Sequence, residues 1–216
     1  MPKPVTAPLA CVFDLDGTLI DSLRDIGEAL NIGLDHLGLP THPPESYRTL
    51  VGEGIPLLCQ RAIGATHPHL VTRLGELVRA VYRTRPMVHT QPYPGVPELI
   101  ARLHAARIPL GVLSNKVHEL SVRITQTLWP DGTFGAIWGY RDEARRKPSP
   151  HFLHKIAEQF GVPIEGVWLL GDTPTDIATA RAAGAVAVGV TWGFRTRAEL
   201  ESAGADFVVD HPDDLP

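Results

Sequence analysis

Residues 9–18 read LACVFDLDGT, five apolar residues followed by two aspartates around a leucine, then a glycine and a threonine. A short continuous apolar run of this kind is typical of a strand buried on both faces of a parallel sheet. The polar residues after it are predicted to form a loop at the carboxyl end of that strand. Because ligands bind beyond the carboxyl ends of the strands in open parallel sheets, this stretch predicts both the fold and the position of a binding site.

Strands and helices alternate along the second half of the chain. Apolar runs predict strands at 109–113, 136–138, 167–170, 185–190 and 207–209, and periodic apolar spacing predicts helices at 97–106, 117–128, 150–160, 174–183 and 196–203. This alternation implies right-handed crossovers and a parallel sheet with helices on both faces. The predicted fold class is therefore α/β, with a three-layer α/β/α core.

A helical insertion interrupts this pattern directly after the first strand. Residues 22–85 show no strand pattern, and their apolar side chains recur at spacings of three and four, as on one face of a helix. Predicted helices cover 23–37, 55–64 and 69–83, and a proline-rich loop covers 40–44. We therefore predict two domains, an α/β core of residues 1–20 and 88–216 and an all-helical domain of residues 21–87.

Composition and charge narrow the function classes. The chain has 20 Lys and Arg against 24 Asp and Glu, a formal charge of −4, which disfavours nucleic acid as a partner because phosphate backbones are bound by clustered basic residues. Its two cysteines, Cys11 and Cys59, predict buried free thiols rather than a disulfide framework. No apolar run reaches the roughly 18 residues that span a bilayer, and no signal-peptide pattern is recognisable. We expect a cytoplasmic protein with no membrane partner.

Chemically active side chains recur at the predicted carboxyl ends of the strands. They are Asp14 and Asp16 after the first strand, Ser114 and Asn115 after the second, Lys147 before the helix at 150–160, and Asp172 and Asp176 after the strand at 167–170. Four carboxylates in one crevice would repel one another, and Mg²⁺ relieves that repulsion because carboxylate oxygens are its preferred ligands. Lys147, Ser114 and the backbone N–H groups around Gly17 and Thr18 would then bind phosphate oxygens, which predicts phosphoryl transfer.

Each of these elements is ordinary by itself. An Asp-x-Asp loop is usually solvated surface, a serine after a strand is usually a turn residue, and Gly-Asp before a helix is often an N-cap. The specific signal is their joint placement at successive strand ends.

Four segments resemble, in order, the four motifs of the haloacid dehalogenase-like hydrolase superfamily. They are DLDGTLIDS at 14–22, LSNK at 113–116, RKPSP at 146–150 and GDTPTD at 171–176. Closer detail is similar to the phosphoglycolate phosphatase-type branch: VGEG at 51–54, YPGV at 93–96, and the segment 178–184. The resemblance covers essentially the whole chain. It implies a Rossmann-like core and a mobile helical cap that closes over the substrate.

The resemblance also implies a role for each motif residue. Asp14 would be the nucleophile that forms a phosphoaspartyl intermediate, and Asp16 would protonate the leaving alkoxide and then activate water. Ser114 would hydrogen-bond the transferring phosphoryl group, and Lys147 would neutralise its charge. The implied Mg²⁺ ligands are Asp14, the backbone carbonyl of Asp16, and Asp172, with Asp176 in the outer shell or orienting Lys147; the implied phosphate- or substrate-binding residues are Gly17, Thr18, Ser114, Asn115 and Lys147.

Particular residues narrow the reaction within the family. Asp16 argues against a dehalogenase, since that branch resembles this pattern without the second aspartate. Residues 22–85 contain no lysine for a Schiff base, and the first histidine after Asp16 is His36, far from where mutase relatives carry one. These observations favour a phosphatase acting on a small phosphorylated metabolite, with phosphoglycolate, nucleotides, sugar phosphates and pyrophosphate all open.

Two alternatives of another class also stay open, a regulatory phosphoreceiver and a scaffold that has lost turnover. A phosphoreceiver would signal through its phosphorylated aspartate rather than turn over, and a scaffold would bind without turnover. Arg48, in the predicted helical domain, is predicted to bind a carboxylate of the substrate, because its guanidinium suits bidentate binding of a carboxylate.

The segment 192–194 is interpreted as a packing segment. The protein is predicted to be a monomer or a homodimer.

Overall fold

A computed structural model of the chain describes residues 7–85 and 87–215. Contacts within the chain divide it into an α/β unit of residues 7–20 and 92–215 and a helical unit bounded by Asp21 and Gln91. In the part that the structure describes, no helix is long and apolar enough to cross a membrane.

The α/β unit is built on one six-stranded sheet. In chain order the strands of the described residues are β1 (Ala10–Phe13), β2 (Ile20–Asp21), β3 (Gln91–Pro92), β4 (Leu110–Val117), β5 (Ala136–Tyr140), β6 (Val167–Gly171), β7 (Val186–Val190) and β8 (Phe207–Val209). All of them except β2 and β3 belong to this sheet. The sheet has the order β5-β4-β1-β6-β7-β8, and its neighbouring strands pair in parallel. Short strands β2 and β3 pair with each other where the chain leaves and re-enters the α/β unit.

Helices cover both sides of this sheet. In chain order the helices of both units are α1 (Leu23–His36), α2 (Tyr47–Leu50), α3 (Ile55–Ile63), α4 (Val71–Thr84), α5 (Val96–Ala105), α6 (His118–Leu128), α7 (His151–Phe160), α8 (Pro174–Ala183) and α9 (Arg197–Ser202). The first four belong to the helical unit, and α5 to α9 lie on the two sides of the sheet. The predicted three-layer α/β/α fold is confirmed.

Strand β1 lies at the centre of the sheet because all four of its residues are apolar and buried. Its Ala10 and Val12 belong to a core that also contains Leu153 from α7 and Ile177 from α8. Burial on both sides explains why the strand reads as a continuous apolar run rather than as an alternating pattern. Its carboxyl end therefore lies between those of its parallel neighbours β4 and β6.

The end of β4 differs from the sequence prediction. Ser114 and Asn115 were expected beyond the strand, yet β4 continues to Val117. The pairing with β5 shifts register between Leu113 and Val117, so the polar residues occupy an irregular end of the strand. Such an irregularity re-aims side chains at the edge of a site, which is where these polar residues lie.

The helical unit packs α1 and α3 against α4. Helix α2 follows a 3₁₀ turn at Pro44–Ser46, and neither was predicted, because four-residue helices are too short to show periodicity. Residues 88–91 lie with this unit rather than with the core as the predicted boundary has it. The reason is Asp25 on α1, whose buried carboxylate accepts hydrogen bonds from the backbone of residues 88–90 at 2.8–3.1 Å.

Candidate active site

The loop after β1 places Asp14 and Thr18 beside the end of β6. Asp14 is buried, its backbone N–H donates to the carbonyl of Leu170 at 2.8 Å, and its Oδ1 accepts from the N–H of Leu15 at 2.7 Å. Thr18, also buried, donates its hydroxyl to Oδ1 of Asp172 at 3.2 Å. The loop and the end of β6 are thus joined directly, as parallel neighbours in the sheet require.

Lys147 lies between two carboxylates at the centre of the site. Its Nζ is 2.9 Å from Oδ1 of Asp14 and 2.6 Å from Oδ1 of Asp176, and its side chain is only 3% exposed. Burial lowers the pKa of Lys147, but the two carboxylates raise it more, so that its pKa lies above the usual range. The side chain is therefore a fixed positive charge in the site.

The same burial affects the acids. Burial raises the pKa of Asp14 to about 6; Lys147 opposes the rise, and the carboxylates of Asp176 and Asp16 add to it. Burial, followed by the charges of Asp176 and Asp14, raises the pKa of Asp172 well above its ordinary value. Three buried carboxylates, those of Asp14, Asp172 and Asp176, thus lie together with one buried ammonium, that of Lys147.

This excess charge has the geometry of a cation site. Carboxylate oxygens of Asp14, Asp172 and Asp176 all lie within 4.8 Å of one another, and all three residues are buried. The donor atoms are hard oxygens, which suit Mg²⁺ or Ca²⁺ rather than a thiolate- or imidazole-seeking metal. The residues present therefore fit a divalent cation.

Asp176 has both oxygens engaged with the protein. Oδ1 contacts Lys147 at 2.6 Å, and Oδ2 accepts from the hydroxyl and the N–H of Thr173 at 2.7 and 3.1 Å. Thr173 and Asp176 form the capping box of α8, with Pro174 in the first turn. A helix cap thus fixes the carboxylate that orients Lys147.

The backbone of Lys147 is fixed from the other side by Asn115. The side-chain carbonyl of Asn115 accepts from the N–H of Lys147 at 2.9 Å, and its amide donates to the carbonyl of Lys147 at 3.2 Å. In the structure, therefore, Asn115 orients the lysine loop. Ser114 is buried beside it, and its hydroxyl accepts from the N–H of Lys116 at 3.2 Å.

Glycines allow the loops of the site to approach Asp172. Gly17 adopts φ +88°, which favours glycine, and a Cβ there would lie 2.3 Å from Oδ2 of Asp172. The predicted phosphate-binding loop is thus packed directly on a candidate metal ligand.

The segment 192–194 was interpreted as packing, and the structure gives it a further part in the site. The indole N–H of Trp192 donates to the carbonyl of Thr18 at 2.9 Å. The N–H of Phe194 donates to Oδ2 of Asp172 at 2.7 Å. A Cβ on Gly193 would lie 2.2 Å from the carbonyl oxygen of Gly17. The segment 192–194 follows the carboxyl end of β7, and that position is the sequence signal that could have assigned the segment to the site.

Lys116 is a second residue that the sequence analysis did not assign. Its Nζ lies 2.7 Å from each carboxylate oxygen of Asp16. The scarcity of lysine, four in 216 residues with two of them here, is the signal that would have found it. Arg48 lies exposed on α2 of the helical unit, and its role in substrate binding stays a prediction.

Comparison with known proteins gives consistent results. The profile of the haloacid dehalogenase-like hydrolases matches residues 11–190. A phosphoglycolate phosphatase of Aquifex aeolicus is 35% identical over 204 residues, covering 94% of this chain and 93% of the relative. One of Chromobacterium violaceum is 35% identical over 93% of this chain and 91% of the relative. The crystal structure of a candidate phosphoglycolate phosphatase from Lactobacillus delbrueckii subsp. bulgaricus superposes with a TM-score of 0.89 at 28% identity, covering 97% of each chain.

Proposed function

The chain belongs to the haloacid dehalogenase-like hydrolase family, and from that premise we propose that it is a Mg²⁺-dependent phosphatase that hydrolyses 2-phosphoglycolate through a phosphoaspartate. The observation that carries the proposal is the buried Asp14 carboxylate, with Lys147 at 2.9 Å and the candidate cation site against it. In that setting the carboxylate would act as a nucleophile that attacks phosphorus, while the ammonium of Lys147 and the cation would neutralise the negative charge of the phosphoryl oxygens.

Asp14 would attack phosphorus and expel the leaving alkoxide. Its Oδ1 is engaged with Lys147 and with the N–H of Leu15, which leaves Oδ2 as the attacking atom. Lys147 neutralises charge on Asp14 and on the transferring phosphoryl oxygens. Asp176 keeps Lys147 in place, since both of its own oxygens are used by the protein.

The remaining steps are assigned to neighbours of Asp14. Asp16 would give a proton to the leaving oxygen and later take one from the water that cleaves the phosphoaspartate. Ser114 and the N–H groups of the loop at Gly17 and Thr18 would bind phosphoryl oxygens. When bound, Mg²⁺ would neutralise phosphate charge and orient the group, held by Asp14, Asp172 and the backbone carbonyl of Asp16.

The substrate proposal rests on the relatives. The two curated relatives named above are phosphoglycolate phosphatases, each 35% identical over most of its length. A fold alone does not determine a substrate, so the proposal rests on sequence identity that extends across both units of the chain.

The test is phosphate release from a panel of phosphomonoesters, with Mg²⁺ or with EDTA. We expect Mg²⁺-dependent turnover that is highest on 2-phosphoglycolate and is abolished in Asp14→Asn. The matched control is Asp131→Asn, the same change at an exposed residue of the α/β unit, which should retain activity. Phosphorylation of Asp14 by a reactive donor without turnover on any ester would instead favour a phosphoreceiver or scaffold.

Location and assembly are part of the proposal. A cytoplasmic location is supported by two buried free thiols, Cys11 and Cys59, and cell fractionation tests it. A monomer or homodimer is proposed, which sedimentation of the purified protein distinguishes from larger assemblies.

A further inference from the structure

Asp16 is held by an ion pair that the proposed mechanism does not use. Nζ of Lys116 lies 2.7 Å from Oδ1 and 2.7 Å from Oδ2, so one ammonium chelates both oxygens of the carboxylate. The side chains are only 6% and 16% exposed. A pair shielded in this way is stronger than a surface salt bridge and fixes the orientation of both partners.

This chelate conflicts with the role of Asp16 as a proton donor. That role requires one oxygen of Asp16 to face the leaving oxygen, whereas both of its oxygens lie 2.7 Å from Nζ of Lys116. Asp16 must therefore leave Lys116, at least through one oxygen, before it protonates a leaving group. The ammonium of Lys116 can then donate to another anion the hydrogen bond that this oxygen of Asp16 gives up.

The main chain of Lys116 does not provide that freedom. Its N–H donates to the hydroxyl of Ser114 at 3.2 Å, and its carbonyl accepts from the hydroxyl of Ser121 at 3.3 Å. This part of the strand end is also closely packed, since a Cβ on Gly139 would lie only 2.6 Å from the carbonyl oxygen of Lys116. The movable part is the four-carbon side chain, which can turn its ammonium towards a new anion while the strand end stays fixed.

The leaving group itself is the natural source of that anion. Asp16 acts at the leaving oxygen, and Lys116 touches Asp16, so a carboxylate one carbon from the leaving oxygen comes within reach of the same ammonium. We infer that Lys116 holds Asp16 in the free enzyme and exchanges it for a carboxylate on the leaving group, so that substrates phosphorylated next to a carboxylate release the general acid. The inference rests on the proposed function and adds a specificity residue to it.

Two substrates and three variants test the exchange. The substrates are 2-phosphoglycolate and ethyl phosphate, in which a methyl group replaces the carboxylate next to the same leaving oxygen. In Lys116→Met, the ratio of kcat/KM for phosphoglycolate to that for ethyl phosphate should fall about 10- to 150-fold, the range for a hydrogen bond to a charged group. The loss should appear in kcat as well as in KM, because the exchange affects proton donation.

Lys116→Arg and Lys155→Met complete the set. Arginine keeps the positive charge and should restore part of the ratio. Lys155 is an exposed lysine paired with Glu158 on α7, and its substitution by methionine should leave the ratio unchanged. An equal loss on both substrates in Lys116→Met would overturn the inference, since it would assign Lys116 a purely structural role.

The wild type provides a test that does not depend on how a variant folds. It should prefer phosphoglycolate over ethyl phosphate by about tenfold or more, and near-equal kcat/KM values would overturn the exchange. Absence of the proposed phosphatase activity looks different, because the wild type would then hydrolyse neither ester.

Discussion

Gly193→Ala tests how closely the segment 192–194 supports the site. A Cβ at this position would lie 2.2 Å from the carbonyl oxygen of Gly17 and 2.3 and 2.6 Å from Cβ and Cγ of Asp172. Ordinary contacts begin near 3.4 Å, so the loop after β1 or the carboxylate must move by roughly 1 Å. The obstacles are a backbone carbonyl and the base of a buried side chain, neither of which can turn aside.

The size of the effect follows from that displacement. Overpacking of a rigid site costs about 1–3 kcal/mol in the free energy of unfolding. A misplacement of about 1 Å costs on the order of 100-fold in rate, so kcat should fall by that factor. Mg²⁺ affinity should fall as well, because Asp172 is a candidate ligand and is held by the N–H of Phe194.

The assay compares kcat, Mg²⁺ affinity and urea unfolding for wild type and variant. Gly75→Ala on α4 is the matched control, since a Cβ there would meet nothing closer than 3.4 Å. It should keep full activity and unfold no more easily, because alanine favours helix more than glycine does. If Gly193→Ala retained kcat within twofold of wild type, the argument that this segment positions the site would be refuted.

Three further predictions concern other parts of the molecule. Mg²⁺ should bind more tightly as pH rises from about 5 to 7, because burial raises the pKa of Asp14 to about 6 and that of Asp172 well above normal, and both must lose their protons to bind the ion; calorimetry at several pH values checks this, and a flat affinity contradicts it. Asn115→Ala removes both hydrogen bonds that hold the backbone of Lys147, so we expect the free energy of unfolding to fall by about 2 kcal/mol and kcat by roughly tenfold or more, measured by urea unfolding and steady-state kinetics; unchanged kcat would argue against a positioning role. Asp25→Ala leaves the N–H groups of residues 88–90 without their buried acceptor and should lower the free energy of unfolding by roughly 3 kcal/mol, which a urea midpoint close to that of wild type would rule out.

The sequence predicted the parts of the site that depend on strand ends. Asp14 follows a strand whose apolar run is unmistakable, and the same holds for Asp172 after β6. Parallel strands bring such residues to one edge whatever the details of the loops, so their convergence follows from the pattern alone.

Contacts that depend on side-chain direction could not be predicted in the same way. Lys116 contacts Asp16, which lies 100 positions away in the sequence, from the irregular end of β4, and apolar periodicity does not predict an irregular strand end. Residues 88–90 belong to the helical unit because the carboxylate of Asp25 binds their backbone. The sequence prediction placed that boundary between residues 87 and 88 instead.

The central claim is that Asp14 carries the phosphoryl group during turnover. The most direct measurement is rapid mixing of the protein with 2-phosphoglycolate and Mg²⁺, quenching in acid within a single turnover, and locating the phosphoryl group by tandem mass spectrometry. The account predicts a transient phosphoryl group on Asp14 that forms before phosphate is released and is absent from Asp14→Asn. Phosphate release with no phosphorylation of Asp14, or with the group on another residue, would contradict it.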